Sequence, residues 1–394
     1  MHARGGNVFT VSAQEHSLSE GYVVTHGRRD EKSRYLRAAG HSLFAAFLMS
    51  SSAAAQTPAE RLDALAREYF ESGRLYGGLL VADSDVVVYE AAFGLANKEE
   101  EVPNRHDTLY PVHSITKSFN AILILQLVED GIIELDGTLT EYLTSLPSAD
   151  WGAVTIHQLL SHRSGIPDYF LSSTPIYPDC DDRTLSRQAL LTSVASLPLE
   201  FPPGTGFSYS NTGYALLGQI IEVVTDTPYD DVLRERILDP LGMTATRWVA
   251  SLEDPRIARQ YLSDGDGVAP LEVVHAGQSG IVTTLDDMLR FVRALGSPDL
   301  LTPDTWQLAF TPHSLPNEAR RPIPPHLFPH GYGFGLAAAP GEPELAVLHG
   351  GSGCGGTALY YRLIDSGRIV ILWSNRGDVQ PDVSLVAELL ASLR

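Results

Sequence analysis

An α/β domain assembled from both ends of the chain, with an α-helical insert between its two parts, is the architecture this 394-residue sequence predicts. Three observations lead to it. Runs rich in Val, Leu, Ile and Tyr read as strands near residues 75–94 and again across 331–375. The stretch from about 137 to 270 reads as helices and loops. Helical segments at 57–72 and 382–393 border the two strand regions. The expected segments are 1–56 as an N-terminal extension, 57–136 and 271–394 as the parts of the α/β domain, and 137–270 as the insert.

The elements follow in order. "LYGGLLVADSDVVVYEAAFG" (75–94) holds two strands joined by a tight turn near Ser84 and Asp85, residue types that favour turns. "NAILILQLVEDGIIEL" (120–135) has apolar residues at helical spacing, which predicts a helix headed by Ser114. "SHRSGIPDYF" (161–170) and "FPPGTGFSYSN" (201–211) break the helical middle with Pro and Gly. "TTLDDMLRFVRAL" (283–295) is a helix with a threonine cap. "GYGFGL", "ELAVLHGG", "TALYYRLID" and "RIVILWSN" read as strands, and "DVSLVAELLASL" as a closing helix.

Composition excludes several functions. A net charge of −20 disfavours nucleic acid and anionic membrane surfaces as partners. Two cysteines, Cys180 and Cys354, make no disulfide framework, and neither CxxC, HExxH nor clustered Cys/His spacing points to a metal. No cofactor is expected. The first 56 residues differ from the rest. Residues 1–33 are polar and patternless. Then "RYLRAAGHSLFAAFLMSSSAAAQ" sets Arg34 and Arg37 before a short apolar core, Leu43–Met49, and a small-residue "AAA" at 53–55. That is the pattern of an export signal, so a periplasmic or secreted protein starting near Gln56 is expected. The alternative is a buried or amphipathic N-terminal helix. The apolar run is too short to span a bilayer, so no stable membrane insertion is expected.

The stretch "HSITKSF" (113–119) carries the first chemical signal. Residues i and i+3 are neighbours on a helix, so the Ser114 hydroxyl and the Lys117 amine can meet. Read structurally, Ser114 is an N-cap and Lys117 a solvated charge. Basic-residue usage favours chemistry. Of 28 basic residues only Lys32, Lys98 and Lys117 are lysines, and the rest are arginines. Arginine cannot give up its proton, whereas a desolvated lysine can, and then acts as a base.

Two further motifs follow "SITK" (114–117): "YSN" (209–211) and "HGG" (349–351). Class A β-lactamases and penicillin-binding proteins carry S-x-x-K, S-D-N and K-T-G. With Tyr-x-Asn in second place, the chain resembles instead the group of class C β-lactamases, D,D-peptidases and related esterases. "FGLAN" (93–97), "DTLYPVHSITK" (107–117), "TIHQLLSHRSGIPD" (155–168), "PPGTGFSYSNTGYALLGQIIE" (202–222) and "AGQSGIVTTLDDMLRF" (276–291) extend the likeness over most of residues 60–375. The resemblance implies an antiparallel sheet flanked by helices with an α-helical insert. It also implies a cofactor-free serine hydrolase that acts on a small-molecule or peptide substrate through an acyl-enzyme on Ser114.

Serine at its own pKa is a poor nucleophile, and Lys117 and Tyr209 are the two candidates for the base it needs. Asn211 is placed to hold Lys117 and bind a substrate carbonyl. The resemblance puts the oxyanion hole at the backbone N–H groups of Ser114 and Ser352. Gly350, Gly351 and Gly353 then suit a strand edge that substrate approaches closely. The chain departs from the group at His349. Lactamases and many D,D-peptidases have lysine there, at the rim of the site, to attract a substrate carboxylate. An imidazole offers less charge, which points away from strong β-lactamase activity. His-x-Gly versions look more like the D-aminopeptidases and esterases of the group, a resemblance that implies a small ester or a D-amino-acid peptide, with β-lactams third. The rival reading is a penicillin-binding sensor that acylates without turnover. Ser279 in "GQSG" is no nucleophile elbow, because position 281 is isoleucine where G-x-S-x-G needs glycine. His113, His157 and His162 have no ligand spacing and read as structural or as supports behind the site, and Cys354 as a small packed thiol.

Overall fold

Thr57 accepts the Glu60 N–H at 3.2 Å while the Glu60 carboxylate takes the Thr57 N–H at 2.8 Å. This reciprocal cap, with proline at the first helical position, starts α1 (Pro58–Glu71). The computed structural model describes residues 56–169, 186–249, 254–264, 275–320, 330–338, 344–353, 355–380 and 383–394. The segment expected to be an export signal, Cys180 and Cys354 lie outside the described residues. Strands β1 (Gly77–Asp83) and β2 (Val86–Phe93) form the expected hairpin, with Ser84 in the left-handed region at φ 55. A ribbon of β3 (Leu95–Asn97) and β4 (Val102–Pro103) leads to β5 (Tyr110–Pro111) and α2 (Thr116–Glu129). The helical middle comprises α3 (Leu139–Tyr142), α4 (Ile156–Leu160), α5 (Arg187–Ala195), α6 (Asn211–Thr225), α7 (Tyr229–Leu233) and α8 (Asp239–Leu241). After β6 (Arg247–Trp248) and β7 (Ile281–Thr283) come α9 (Leu285–Ala294), capped by Thr284, and α10 (Pro303–Ala309). Strands β8 (Gly335–Ala338), β9 (Leu345–Ser352), β10 (Thr357–Leu363) and β11 (Ile369–Ser374) precede α11 (Val383–Ala391).

The main sheet runs β2-β1-β11-β10-β9-β8, and every neighbouring pair is antiparallel. Pairing of β1 with β11, Leu79 opposite Leu372, closes the two ends of the chain into one sheet. Strands β1, β10 and β11 read as apolar runs because both their faces are covered, whereas the edge strand β2 exposes Val86 and Val87. Leu79, Val81, Val370 and Leu372 share one core with Leu62, Ala66 and Tyr69 of α1 and Leu385 and Leu389 of α11. Leu80, Ala82, Ile369 and Ile371 face the other core, built around α2 and α9. Helix α2 is buried on all sides from Thr116 to Leu125, and Phe119 stacks on Phe291 of α9 at 3.6 Å. Among the described residues no helix is long and apolar enough to cross a membrane.

One boundary differs from expectation. The α-helix starts at Thr116, and Ser114 sits in a 3-10 turn, His113–Ile115, just before it. Val112 donates its N–H to Ile281 O at 2.9 Å, which ties the chain to the small sheet β5-β7-β6. His113 then turns through φ 48, so the helical ladder begins only beyond it.

Candidate active site

Three segments meet at the start of α2. Ser114 is carried by the 3-10 turn, and Lys117, on the first turn of α2, brings Nζ to 3.1 Å from Ser114 Oγ. Asn211 is the first residue of α6, whose cap is Ser210, its Oγ accepting the Gly213 N–H at 3.0 Å. Gln278 comes from the segment before β7. That segment passes close to α6 and α2 because position 277 is glycine, at φ +88. A Cβ there would lie 2.4 Å from Tyr214 O and 2.9 Å from Asn120 Nδ2.

Lys117 is fully buried, and its amine has three neighbours: Ser114 Oγ, Asn211 Oδ1 at 2.9 Å and Gln278 O at 3.1 Å. The last two are carbonyl oxygens, which only accept. A neutral amine has two N–H donors and one lone pair, so its donors go to these carbonyls and the lone pair faces the serine. Burial pulls the Lys117 pKa down to about 7, against the opposing attraction of the Asp168 carboxylate. Its neutral form, aimed at a serine hydroxyl, has the geometry a general base needs.

Tyr209 is half-buried and shares a hydrogen bond with Ser114. Burial raises its phenol above the ordinary value, so it rests protonated. The phenol ring lies 5.0 Å from Lys117 Nζ and 4.4 Å from the His162 ring. His162 is buried, at φ 56, and its Nδ1 accepts the Ser210 N–H at 3.0 Å, which leaves the ring proton on Nε2. Burial, followed by the charges of His330, Lys117 and His349, holds His162 well below its usual range and therefore neutral.

The third wall is β9. A Cβ on Gly351 would lie 2.2 Å from Val112 O and 3.0 Å from Ser114 N, and one on Gly353 would lie 2.4 Å from the His113 ring. Glycine is therefore needed here because the chain's own His113–Ser114 turn presses on the strand. Bonds within that turn run from Ile115 N–H to Val112 O and from Thr116 N–H to His113 O, so the Ser114 N–H lies outside its ladder. Ser352 is exposed at the end of β9, opposite Thr357. His349 corrects an expectation. It is fully buried, not at the rim, because residue alternation along β9 turns it into the inner core, 6.2 Å from the His330 ring. Its Nδ1–H is given to Gly350 O at 2.7 Å.

The structure thus brings Ser114, Lys117, Tyr209 and Asn211 together, sets Gly351 against Ser114, and turns His349 away from the rim. Sequence reasoning missed Asp168 and the Gln278 carbonyl, and took His162 as structural or as a support behind the site. Asp168 closes "SHRSGIPD", a stretch already notable for its likeness to a known loop. A backbone carbonyl leaves no sequence signal.

The sequence matches the Beta-lactamase family over residues 62–393. Among its relatives, penicillin-binding protein 4* of Bacillus subtilis is 28% identical over 82% of this chain and 72% of the relative. Esterase EstB of Burkholderia gladioli is 30% identical over 73% of this chain and 81% of the relative. Among solved structures, D-amino acid amidase from Ochrobactrum anthropi SV3 in complex with L-phenylalanine amide superposes with a TM-score of 0.68. It is 26% identical and covers 84% of this chain and 97% of its own.

Proposed function

The chain belongs to the beta-lactamase family and is a serine hydrolase, and we propose that it hydrolyses small esters or D-amino-acid amides through an acyl-enzyme on Ser114. The observation that carries this reading is the buried Lys117 amine, 3.1 Å from Ser114 Oγ with acceptor oxygens at its two other contacts. Neutral Lys117 takes the Oγ proton as oxygen bonds the carbonyl carbon. The N–H groups of Ser114 and Ser352 stabilise the resulting oxyanion. As the carbon–oxygen or carbon–nitrogen bond breaks, Tyr209 gives its proton to the leaving group and is resupplied from the Lys117 ammonium. Water then repeats the sequence in reverse and frees Ser114.

The substrate class follows from what the site holds. With a buried imidazole at position 349, no ammonium stands where it would meet a substrate carboxylate. Esters and amides that carry no carboxylate are therefore favoured over β-lactams, which agrees with an esterase and an amidase among the similar proteins. The Arg34–Gln56 pattern supports export with a mature start near Gln56. The test is one preparation assayed on p-nitrophenyl esters, D-aminoacyl anilides and a chromogenic cephalosporin. Steady turnover of an ester or anilide that Ser114→Ala abolishes is expected. A burst of one product per enzyme with no steady state overturns hydrolysis in favour of a penicillin-binding sensor.

A further inference from the structure

At the far end of the Asn211 amide from Lys117 lies Asp168, a carboxylate only 1% exposed. One of its oxygens accepts the Asn211 backbone N–H, and the other accepts the side-chain Nδ2–H at 3.4 Å. The segment around it is clamped to the first turn of α6. Thr212 Oγ1 donates to Pro167 O at 2.9 Å and accepts the Tyr169 N–H at 3.1 Å. Asp168 therefore holds a fixed place at the N-terminus of α6, where the helix dipole favours negative charge. We propose that Asp168 is a positioning residue for hydrolysis that acts through Asn211: by taking both kinds of Asn211 N–H, it makes the amide present its oxygen, not its nitrogen, to Lys117.

The chemical consequence concerns the lysine lone pair, and it rests on Lys117 being the base. A carboxylate accepts only, so beside Asp168 the amide has one satisfied orientation. Freed of Asp168, the amide can rotate and point an N–H at Lys117. That N–H competes with the Ser114 hydroxyl for the single lone pair on which proton abstraction depends. Asp168 also opposes the desolvation of the amine. Lys117 is faced by Ser114, Asn211 and the Gln278 carbonyl, by the rings of Tyr209 and Tyr214, by the neutral His162 beyond them, and by the charge of Asp168. Removing that charge lets burial depress the amine further.

The second-order rate of Ser114 phosphonylation by a fluorophosphonate, followed against pH, reads both effects. In the wild type the rate should rise through about pH 7 as Lys117 loses its proton. Asp168→Asn keeps the volume and one acceptor for the Asn211 main chain but loses the charge and the second acceptor. Its plateau should fall about 10- to 100-fold, and its half-maximal pH should move down by about one unit. A lowered plateau with an unmoved midpoint is what a packing defect produces, and it overturns the proposal, as does an unchanged profile. Should Asp168→Asn not fold, Asp168→Glu takes its place: the charge is kept, so the midpoint stays while the plateau falls, and a wild-type plateau overturns the proposal. A wild-type profile with no inflection near pH 7 overturns the Lys117 reading, and this proposal with it. An inflection that Asp168→Asn leaves in place overturns this proposal alone.

Discussion

Lys117 and His349 are both basic, both fully buried, and both set in the walls of one site, yet the chain treats them oppositely. Lys117 stands on a helix start, its amine within hydrogen-bond reach of two carbonyl oxygens and the Ser114 hydroxyl. His349 stands on a strand, gives its Nδ1–H to the carbonyl of the next residue, and has an imidazole ring, His330, as neighbour. Burial alone does not make a catalytic group. What separates the two is what the buried nitrogen faces, the Ser114 hydroxyl in one case and the protein's own core in the other.

The largest expected effect breaks the Lys117 side. Lys117→Arg keeps a basic side chain but fixes it as a cation that cannot supply a neutral nitrogen, and its planar fork does not match the place of a compact amine between Ser114 and two carbonyls. Hydrolysis should fall by at least about 10³-fold, or roughly 4 kcal/mol of transition-state stabilisation. Steady-state rates measured alongside circular dichroism check this, and a folded, active variant would return Lys117 to a packing role. Next comes Tyr209→Phe, which removes the proton donor and leaves the ring against His162 and Lys117. A kcat about 10²- to 10³-fold lower with little change in KM is expected. A rate near that of the wild type would make Tyr209 a packing residue. The smallest effect sharpens the other side. His349→Asn should leave turnover of small neutral esters within about tenfold of wild type, because the ring is hidden and bonded within its own strand. A loss as large as that of Tyr209→Phe would bring His349 into the chemistry and end the contrast.

Much of this was legible along the chain because it is local. The Ser114–Lys117 spacing, the hairpin turn at Ser84, the threonine that caps α9 and the apolar strand runs each depend on residues a few positions apart. The antiparallel sheet came from the resemblance, which also supplied the roles of Tyr209 and Asn211. Less legible were the features made by segments far apart in sequence. The depressed Lys117 pKa is a property of burial under α6 and the Gln278 segment, and a lysine carries no mark of how dry its surroundings will be. The inward turn of His349 follows from how β9 registers against β10, where one step along a strand changes the face. Gly351 looked like room for a substrate, and the structure gives that room to the His113–Ser114 turn.

By itself, then, the sequence determined the elements, the serine–lysine pair and the family, since periodicity, caps and short motifs are written in neighbouring residues. The tertiary structure alone decided which nitrogen is desolvated, which oxygens hold it and which glycine is pressed by what. These depend on desolvation and on contacts such as Asp168 with Asn211 and Gln278 with Lys117, which exist only once distant segments have packed.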